Sequence, residues 1–193
     1  MDYHPAFMSV PREPEPARLV VSVIFRPSGE DGEPPWLRGA LSRLEEAFGR
    51  ADHAGPAVPF DATSYYFGEM GKPLLRRFCS FPALVGRDRL SGIKRLTNGI
   101  EEALVDGEGR RRVNIDPGLL APENFVLATG KGREHRIYLG SGIWADLTLV
   151  YRDGGFQPLA WTYPDYASDG IRSMLASLRE RLVQELRGRR AAR

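Results

Sequence analysis

Three observations predict an α+β fold with a ferredoxin-like βαββαβ core, extended by an antiparallel β meander and a C-terminal helix. The first is the mostly apolar run LVVSVIF at residues 19–25, which is typical of a strand near the middle of a sheet. The second is a pair of segments, 35–48 and 90–104, with apolar residues at helical spacing. The third is a series of short segments with β-strand character, separated by glycine-rich turns, after residue 112.

The order of the predicted elements is what suggests the core. A strand, a helix, two strands, a helix and a strand follow the ferredoxin-like plan at residues 19–25, 35–48, 62–70, 74–85, 90–104 and 112–116. Asp88 is predicted to cap the second helix, and Pro117 and Gly118 to end the last of these strands. The meander then comprises strands at 124–129, 134–139, 143–151 and 156–162, and the final helix covers residues 168–187.

The length of 193 residues favours one hydrophobic core. Residues 18–188 are predicted to form a single α+β domain. A proline-rich, extended leader precedes it at 1–17, and a basic tail follows it at 189–193. No internal repeat divides this domain.

Composition excludes several classes of function. The net charge of +2 gives no general attraction to nucleic acid or to an anionic membrane, so neither is predicted as a partner. Cys79 is the only cysteine, which excludes an intrachain disulfide and a cysteine-rich zinc site. No segment has the length of a membrane span and the N-terminus lacks a signal pattern, so a cytoplasmic location is predicted. The motifs GxxxxGK[ST], GxSxG, HExxH and GxGxxG are absent, and the sequence leaves the cofactor unknown.

Polar residues alternate along the strand at 112–116. Arg112, Asn114 and Asp116 are predicted to share one face, and Lys94, Asn98 and Glu101 form a stripe on the helix before it. Polar groups that a helix covers must be paired. These residues therefore form either a polar pocket between sheet and helix or a hydrogen-bonded network that only supports the fold.

The turn Gly140-Ser141-Gly142 predicts a hairpin that pairs Arg136 with Asp146 and Tyr138 with Trp144. His135 is the only histidine in a predicted strand. With Lys131, Arg133 and Arg136 it forms a basic group that could receive a phosphate or a carboxylate. The alternative is a solvated hairpin tip.

The predicted strand at 62–70 carries an aromatic and acidic patch of Tyr65, Tyr66 and Glu69. Glu69, Asp116 and Asp165 are residue types that a hard metal ion prefers. Their spacing does not require a metal, and none is predicted.

Six segments of the sequence resemble a known prokaryotic family, domain of unknown function 4416. They are FDATSYYFGEMG, IKRLTNGIE, RRVNIDPG, FVLATGKGREHRIYL, GIWADLTLVY and WTYPDY. The resemblance extends from about Pro14 to the last helix. It implies that the polar residues of these segments belong to one functional or structural unit, and it carries over no activity. Some members bear an automatic GTP-binding label, but this chain has neither the phosphate loop nor an NKxD motif.

The leading hypothesis is a pocket protein or enzyme that binds a small anionic ligand, such as a nucleotide or a phosphorylated metabolite. The candidate catalytic residues are Asp116, His135 and Glu69. The candidate ligand-binding residues are Lys94, Asn98, Glu101, Asn114, Lys131, Arg136, Tyr65, Tyr66 and Trp161. The rival hypothesis is a non-catalytic interaction module that binds a protein partner or forms a homodimer through residues 163–166. A third hypothesis is that the polar rows are purely structural.

Overall fold

A computed structural model describes residues 10–28 and 33–192, so the first half of the predicted leader lies outside the described residues. The strands are β1 Ala17–Phe25, β2 His53–Ala54, β3 Val58–Pro59, β4 Leu75–Val85, β5 Val113–Leu120, β6 Asn124–Thr129, β7 Arg136–Gly140, β8 Ile143–Arg152 and β9 Gly155–Pro158. The helices are α1 Pro35–Phe48, α2 Phe67–Met70, α3 Leu90–Glu102 and α4 Asp169–Ala191.

All nine strands belong to one antiparallel sheet with the order β2-β4-β1-β5-β6-β8-β7, in which β3 also pairs with β4 and β9 with β8. Alternate residues of β1 face opposite sides, and they separate two hydrophobic clusters. One side, which includes Val21 and Val23, packs against α1 and α3. The other side, which includes Val20, packs against α4. The mixed α and β architecture, the antiparallel meander and the C-terminal helix are those predicted. No helix among the described residues is long and apolar enough to cross a membrane.

The strand predicted at 62–70 is wrong. Thr63 Oγ1 accepts a hydrogen bond from the Tyr65 N–H, and the chain then turns into α2, which ends at Gly71 in a positive-φ conformation. The half-buried Tyr66 and the buried Met70 lie four residues apart, a helical spacing, and pack in the same hydrophobic cluster. Two very short strands, β2 and β3, take the place of the predicted strand beside β4.

The turn predicted at Pro117-Gly118 is also wrong, because β5 continues through both residues to Leu120. Pro117 has no N–H, and its backbone faces the edge where β6 has not yet begun to pair, so the missing donor costs little. Gly118 is required for a different reason. A side chain there would collide with the Phe125 ring on β6.

Smaller differences concern element ends. Asp88 lies in a 3-10 turn before α3 and does not cap that helix. The last meander strand ends at Pro158, because Thr162 Oγ1 accepts the Leu159 N–H and closes a turn. Ser168, the first residue of the predicted final helix, caps α4, and α4 continues into the predicted basic tail.

The register predicted for the β7-β8 hairpin is confirmed. Arg136 lies opposite Asp146, and Tyr138 lies opposite Trp144.

Candidate functional site

A cavity of about 500 Å³ opens where β5 and β6 diverge. Its walls come from the segment before α2, from α3, from the first half of β5, from the loop between β6 and β7, and from the segment before α4. Six cationic and four carboxylate side chains line it, together with the aromatic rings of Phe60, Tyr65, Tyr66, Tyr163 and Tyr166.

The inner wall begins at an unpaired stretch of strand edge. Backbone groups of Ile115 face the side where β6 is missing, because pairing with β6 starts at Gly118. Two side chains of α3 replace the absent strand. Glu101 Oε1 accepts the Ile115 N–H at 2.8 Å, and Lys94 Nζ donates to the Ile115 carbonyl at 2.6 Å. Both side chains are buried, each 7% exposed.

These two residues belong to a closed ring of polar contacts. Lys94 lies 3.6 Å from Glu101 and 3.4 Å from Asp116. Asn114 donates to Asp116 at 2.7 Å, and its oxygen accepts from Arg111 at 3.0 Å. Arg111 closes the ring at 3.3 Å from Glu101. Asn114 and Asp116 of the predicted strand face therefore meet Lys94 and Glu101 of the helix stripe, whereas Asn98 makes no contact in this ring.

Arg111 takes the place predicted for Arg112. The strand starts only at Val113, so alternation does not extend back to the basic run. Arg112 instead lies over the Trp36 ring at 5.5 Å. Arg111 holds Glu69 through two parallel hydrogen bonds of 2.8 and 2.6 Å.

Arg111 favours the charged form of both glutamates that it contacts, yet their pKa values shift in opposite directions. Hydrogen bonds from Arg111 lower the pKa of Glu69, whose side chain is 36% exposed. Burial raises the pKa of Glu101, although Lys94, the Ile115 N–H and Arg111 act against that rise. Burial and the nearby Asp116 also raise the pKa of Tyr66. Desolvation thus dominates the inner wall and pairing dominates its outer end.

Asp116 is the carboxylate of this wall that the protein engages least. Its partners are Asn114 and the more distant Lys94, and a quarter of its side chain is exposed. Glu101, by contrast, binds a backbone N–H and lies beside two cations. Asp116 is therefore the acidic group that a ligand can reach.

The rim of the cavity, defined here as Tyr65, Lys131 and Arg133, has a different character. Lys131 and Arg133 are exposed and make no ion pair with any carboxylate in the described part of the chain. The Lys131 ammonium lies 3.5 Å from the centre of the Tyr65 ring and lowers the pKa of that tyrosine.

The rim loop is held by Arg136. Its Nε donates to Asp146 at 2.9 Å, and its NH1 donates to the Lys131 carbonyl at 2.8 Å. The Lys131 N–H is bound by Thr129 Oγ1 at 3.2 Å. Arg136 lines the cavity, but its guanidinium also fixes the backbone from which Lys131 projects. It is a positioning residue for the rim.

His135 and Trp161 lie outside the cavity lining. Their rings stack at 5.0 Å, and His135 Nε2 lies 3.4 Å from Asp146. The Trp161 indole donates to the Leu147 carbonyl at 2.8 Å. Both side chains therefore contact β8 of the hairpin and do not face the cavity.

The cavity floor is built on Arg76, a residue that the sequence analysis missed. Arg76 is ion-paired with Asp165 and packs over the rings of Phe60 and Tyr166 at 4.3 and 5.1 Å. The available signal was a charged residue on the face of a strand that also carries Phe78. Tyr166 is only 2% exposed and Asp165 is bound to Arg76, so the segment 163–166 predicted as a dimer surface exposes Tyr163 and Pro164.

Of the predicted site residues, nine line the cavity and three do not. Those that line it are Tyr65, Tyr66, Lys94, Asn98, Glu101, Asn114, Asp116, Lys131 and Arg136, and those that do not are Glu69, His135 and Trp161.

In the described ranges no group of three or more His, Cys, Asp or Glu side chains is arranged to hold a metal ion. Glu69 and Asp165, two members of the carboxylate set considered for a metal, are bound to arginines.

Comparison with known proteins gives one match. The family described as "Domain of unknown function (DUF4416)" matches residues 15–182. No curated protein and no solved structure matches the chain. Because the family covers nearly the whole of the chain, this protein belongs to the DUF4416 family.

Proposed function

We propose that this cavity binds a small anionic ligand, such as a nucleotide or a phosphorylated metabolite. The observation that carries the proposal is the contrast between rim and wall. Lys131 and Arg133 lack a carboxylate partner among the described residues, whereas the four other lining cations are all paired. A ligand anion at the rim would supply the missing partner.

The rest of the cavity suits the body of such a ligand. A volume of about 500 Å³ is that of a small-molecule site. Tyr65 presents an exposed ring on which a planar group can stack. Asp116 can accept hydrogen bonds from ligand hydroxyl or amino groups, and the Asn98 amide lies on the same wall. Asp116 keeps its predicted role of orienting the ligand or accepting a proton from it.

The proposal extends to the fold and the location. The strand order β4-β1-β5, with β2 beside β4 and α1 and α3 on one face, supports a ferredoxin-like core. Cys79, the sole cysteine, is a buried free thiol, and this supports a cytoplasmic location.

A thermal-shift screen with nucleotides and sugar phosphates tests the proposed function. We expect at least one compound to raise the melting temperature saturably. The double variant Lys131→Ala/Arg133→Ala should bind that compound at least tenfold more weakly, because a hydrogen bond to a charged group contributes about 1.5–3 kcal/mol.

The matched control is Arg95→Ala. Arg95 is an exposed cation on α3 that does not line the cavity. Its removal should leave binding unchanged. The proposal is wrong if none of the compounds stabilises the protein, or if the rim variant and the control lose affinity equally.

A further inference from the structure

The ring of polar contacts on the inner wall contains more carboxylates than cations. Its ion pairs connect Lys94 and Arg111 with Glu69, Glu101 and Asp116. None of these five side chains makes an ion pair with any other residue in the described part of the chain. Three carboxylates therefore share two cations, and the ring has an excess of one negative charge when all five side chains are ionised.

Asp116 is the carboxylate of the ring that the cations neutralise least. Among the described residues its one ion pair is with Lys94, at 3.4 Å, and Lys94 also lies 3.6 Å from Glu101. Burial and, to a smaller extent, the charge of Asp116 raise the pKa of Glu101 and the pKa of Tyr66. A quarter of the Asp116 side chain is exposed, so the excess charge is accessible from the cavity.

The cavity floor holds a second polar group that the protein does not fully use. Tyr166 lines the floor and is 2% exposed. Its hydroxyl and the adjacent Ser22 hydroxyl have no hydrogen-bond partner in the described ranges except each other. Two hydroxyl groups carry two hydrogens, and a bond between them uses one. Because Ser22 lies opposite Asp116 in the β1-β5 ladder, the remaining hydrogen is available to a bound molecule close to Asp116.

The rim and the wall thus attract opposite charges. The rim presents Lys131 and Arg133, which have no carboxylate partner among the described residues, and it suits a phosphate group. The wall presents the excess charge of Asp116, which suits an ammonium group. The amino groups of nucleobases are neutral, so a nucleotide would satisfy the rim and leave the charge of the wall in place.

We propose that the ligand of this cavity is a phosphorylated amine, such as an amino sugar phosphate, whose phosphate binds the rim and whose ammonium group binds Asp116. This inference rests on the proposed function and names the class of ligand. A hydroxyl oxygen next to the amine can accept the hydrogen that the floor leaves free. A cavity of about 500 Å³ is large enough for a molecule of this size.

Calorimetric titration with a matched pair of compounds tests the inference. Glucosamine 6-phosphate and glucose 6-phosphate differ only in the group on C2, which is an amine in the first and a hydroxyl in the second. The wild type should bind the amine at least about tenfold more tightly, because a charged donor then meets the carboxylate of Asp116. Asp116→Asn has nearly the same shape without the charge and should bind the two compounds equally.

Two further variants separate the wall from the rim. Asp88→Asn is the matched control, because Asp88 is an exposed carboxylate that does not line the cavity, and it should keep the preference for the amine. Lys131→Ala/Arg133→Ala should weaken the binding of both compounds by the same factor, because both carry the phosphate.

Equal affinities of the wild type for the two compounds would overturn the inference and leave the proposed anion site intact. A preference for the amine that survives Asp116→Asn would overturn it in the same way. Binding of neither compound would also overturn it, and a titration with inorganic phosphate would then show whether the proposed function fails as well.

Discussion

The inner wall and the rim of the cavity contain the same kinds of side chain but use them differently. On the wall, Lys94 and Glu101 are buried and bind the backbone of Ile115 in place of a missing strand. At the rim, Lys131 and Arg133 are exposed, and the described carboxylates leave both without a partner. A buried charge must be paired within the protein, because burial removes its hydration. An exposed charge stays hydrated and can remain unpaired until a ligand binds.

This difference shows why residue type alone does not identify a binding residue. Lys94 and Lys131 both line the cavity, yet one holds the fold together and the other does not. The position of the two lysines relative to the unpaired edge of β5 separates their roles. We therefore expect large losses of stability from substitutions in the wall and small ones from substitutions at the rim.

The largest effect is expected for Glu101→Ala. The substitution leaves the buried Ile115 N–H without an acceptor and removes one carboxylate beside Lys94. We expect a loss of about 3 kcal/mol in the free energy of unfolding, at the low end for a broken buried pair because Asp116 remains near Lys94. Urea denaturation measures it. Glu102→Ala, at the exposed neighbour on the same helix, should change stability by less than about 0.5 kcal/mol.

A smaller, pH-dependent effect should have opposite signs at the two ends of the wall. Arg111 lowers the pKa of Glu69, so the contribution of Glu69 is present above the ordinary glutamate pKa and is lost as pH falls through the lowered value. Burial raises the pKa of Glu101, so the native state holds that proton more tightly than the unfolded chain. The contribution of Glu101 therefore declines as pH rises through the raised value.

Unfolding free energies of the wild type, Glu69→Gln and Glu101→Gln between about pH 3 and pH 8 test this contrast. Relative to Glu69→Gln, the wild type should gain stability as pH rises. Relative to Glu101→Gln, it should lose stability. If the two differences in unfolding free energy changed with pH in the same direction, the contrast between a paired Glu69 and a desolvated Glu101 would be wrong.

The smallest effect on stability is expected at the rim. Lys131→Ala should change the unfolding free energy by less than about 0.5 kcal/mol, because the side chain is exposed. It should also raise the pKa of Tyr65, since the ammonium that lowers it is gone. Ultraviolet difference titration, with Tyr65→Phe to identify the signal, measures that change. If Lys131→Ala were strongly destabilised, the rim would contribute to the stability of the fold as the wall does, and the contrast between them would be wrong.

Sequence patterns predicted those parts of the fold in which a single local feature determines a helix or a hairpin. The helix at 35–48 and the register of Arg136 with Asp146 follow from apolar spacing and from a glycine turn. Prediction failed at 62–70, where local hydrogen bonds of Thr63 and the stop at Gly71 outweigh an apparent alternation. It failed again at Pro117-Gly118, because only the tertiary structure shows that β6 is absent beside Pro117 and that Phe125 covers Gly118.

The site was predictable in location but not in the role of each residue. Alternation on β5 and helical spacing on α3 brought Asn114, Asp116, Lys94 and Glu101 together. Arg76 was missed because its partner Asp165 lies far away in the sequence. His135 was predicted to face a ligand, and the structure turns it toward Asp146, against Trp161.

Titration of ¹⁵N-labelled protein with inorganic phosphate tests the central claim most directly, because it reports on each backbone amide. We predict saturable shifts of the amides of residues 130–136 and 63–66, the two segments that contain the rim residues, and none around Arg95. In Lys131→Ala/Arg133→Ala the shifts should become weak and lose saturation. Undiminished shifts in that variant, or no saturable shift in the wild type, would contradict the claim that the rim is an anion site.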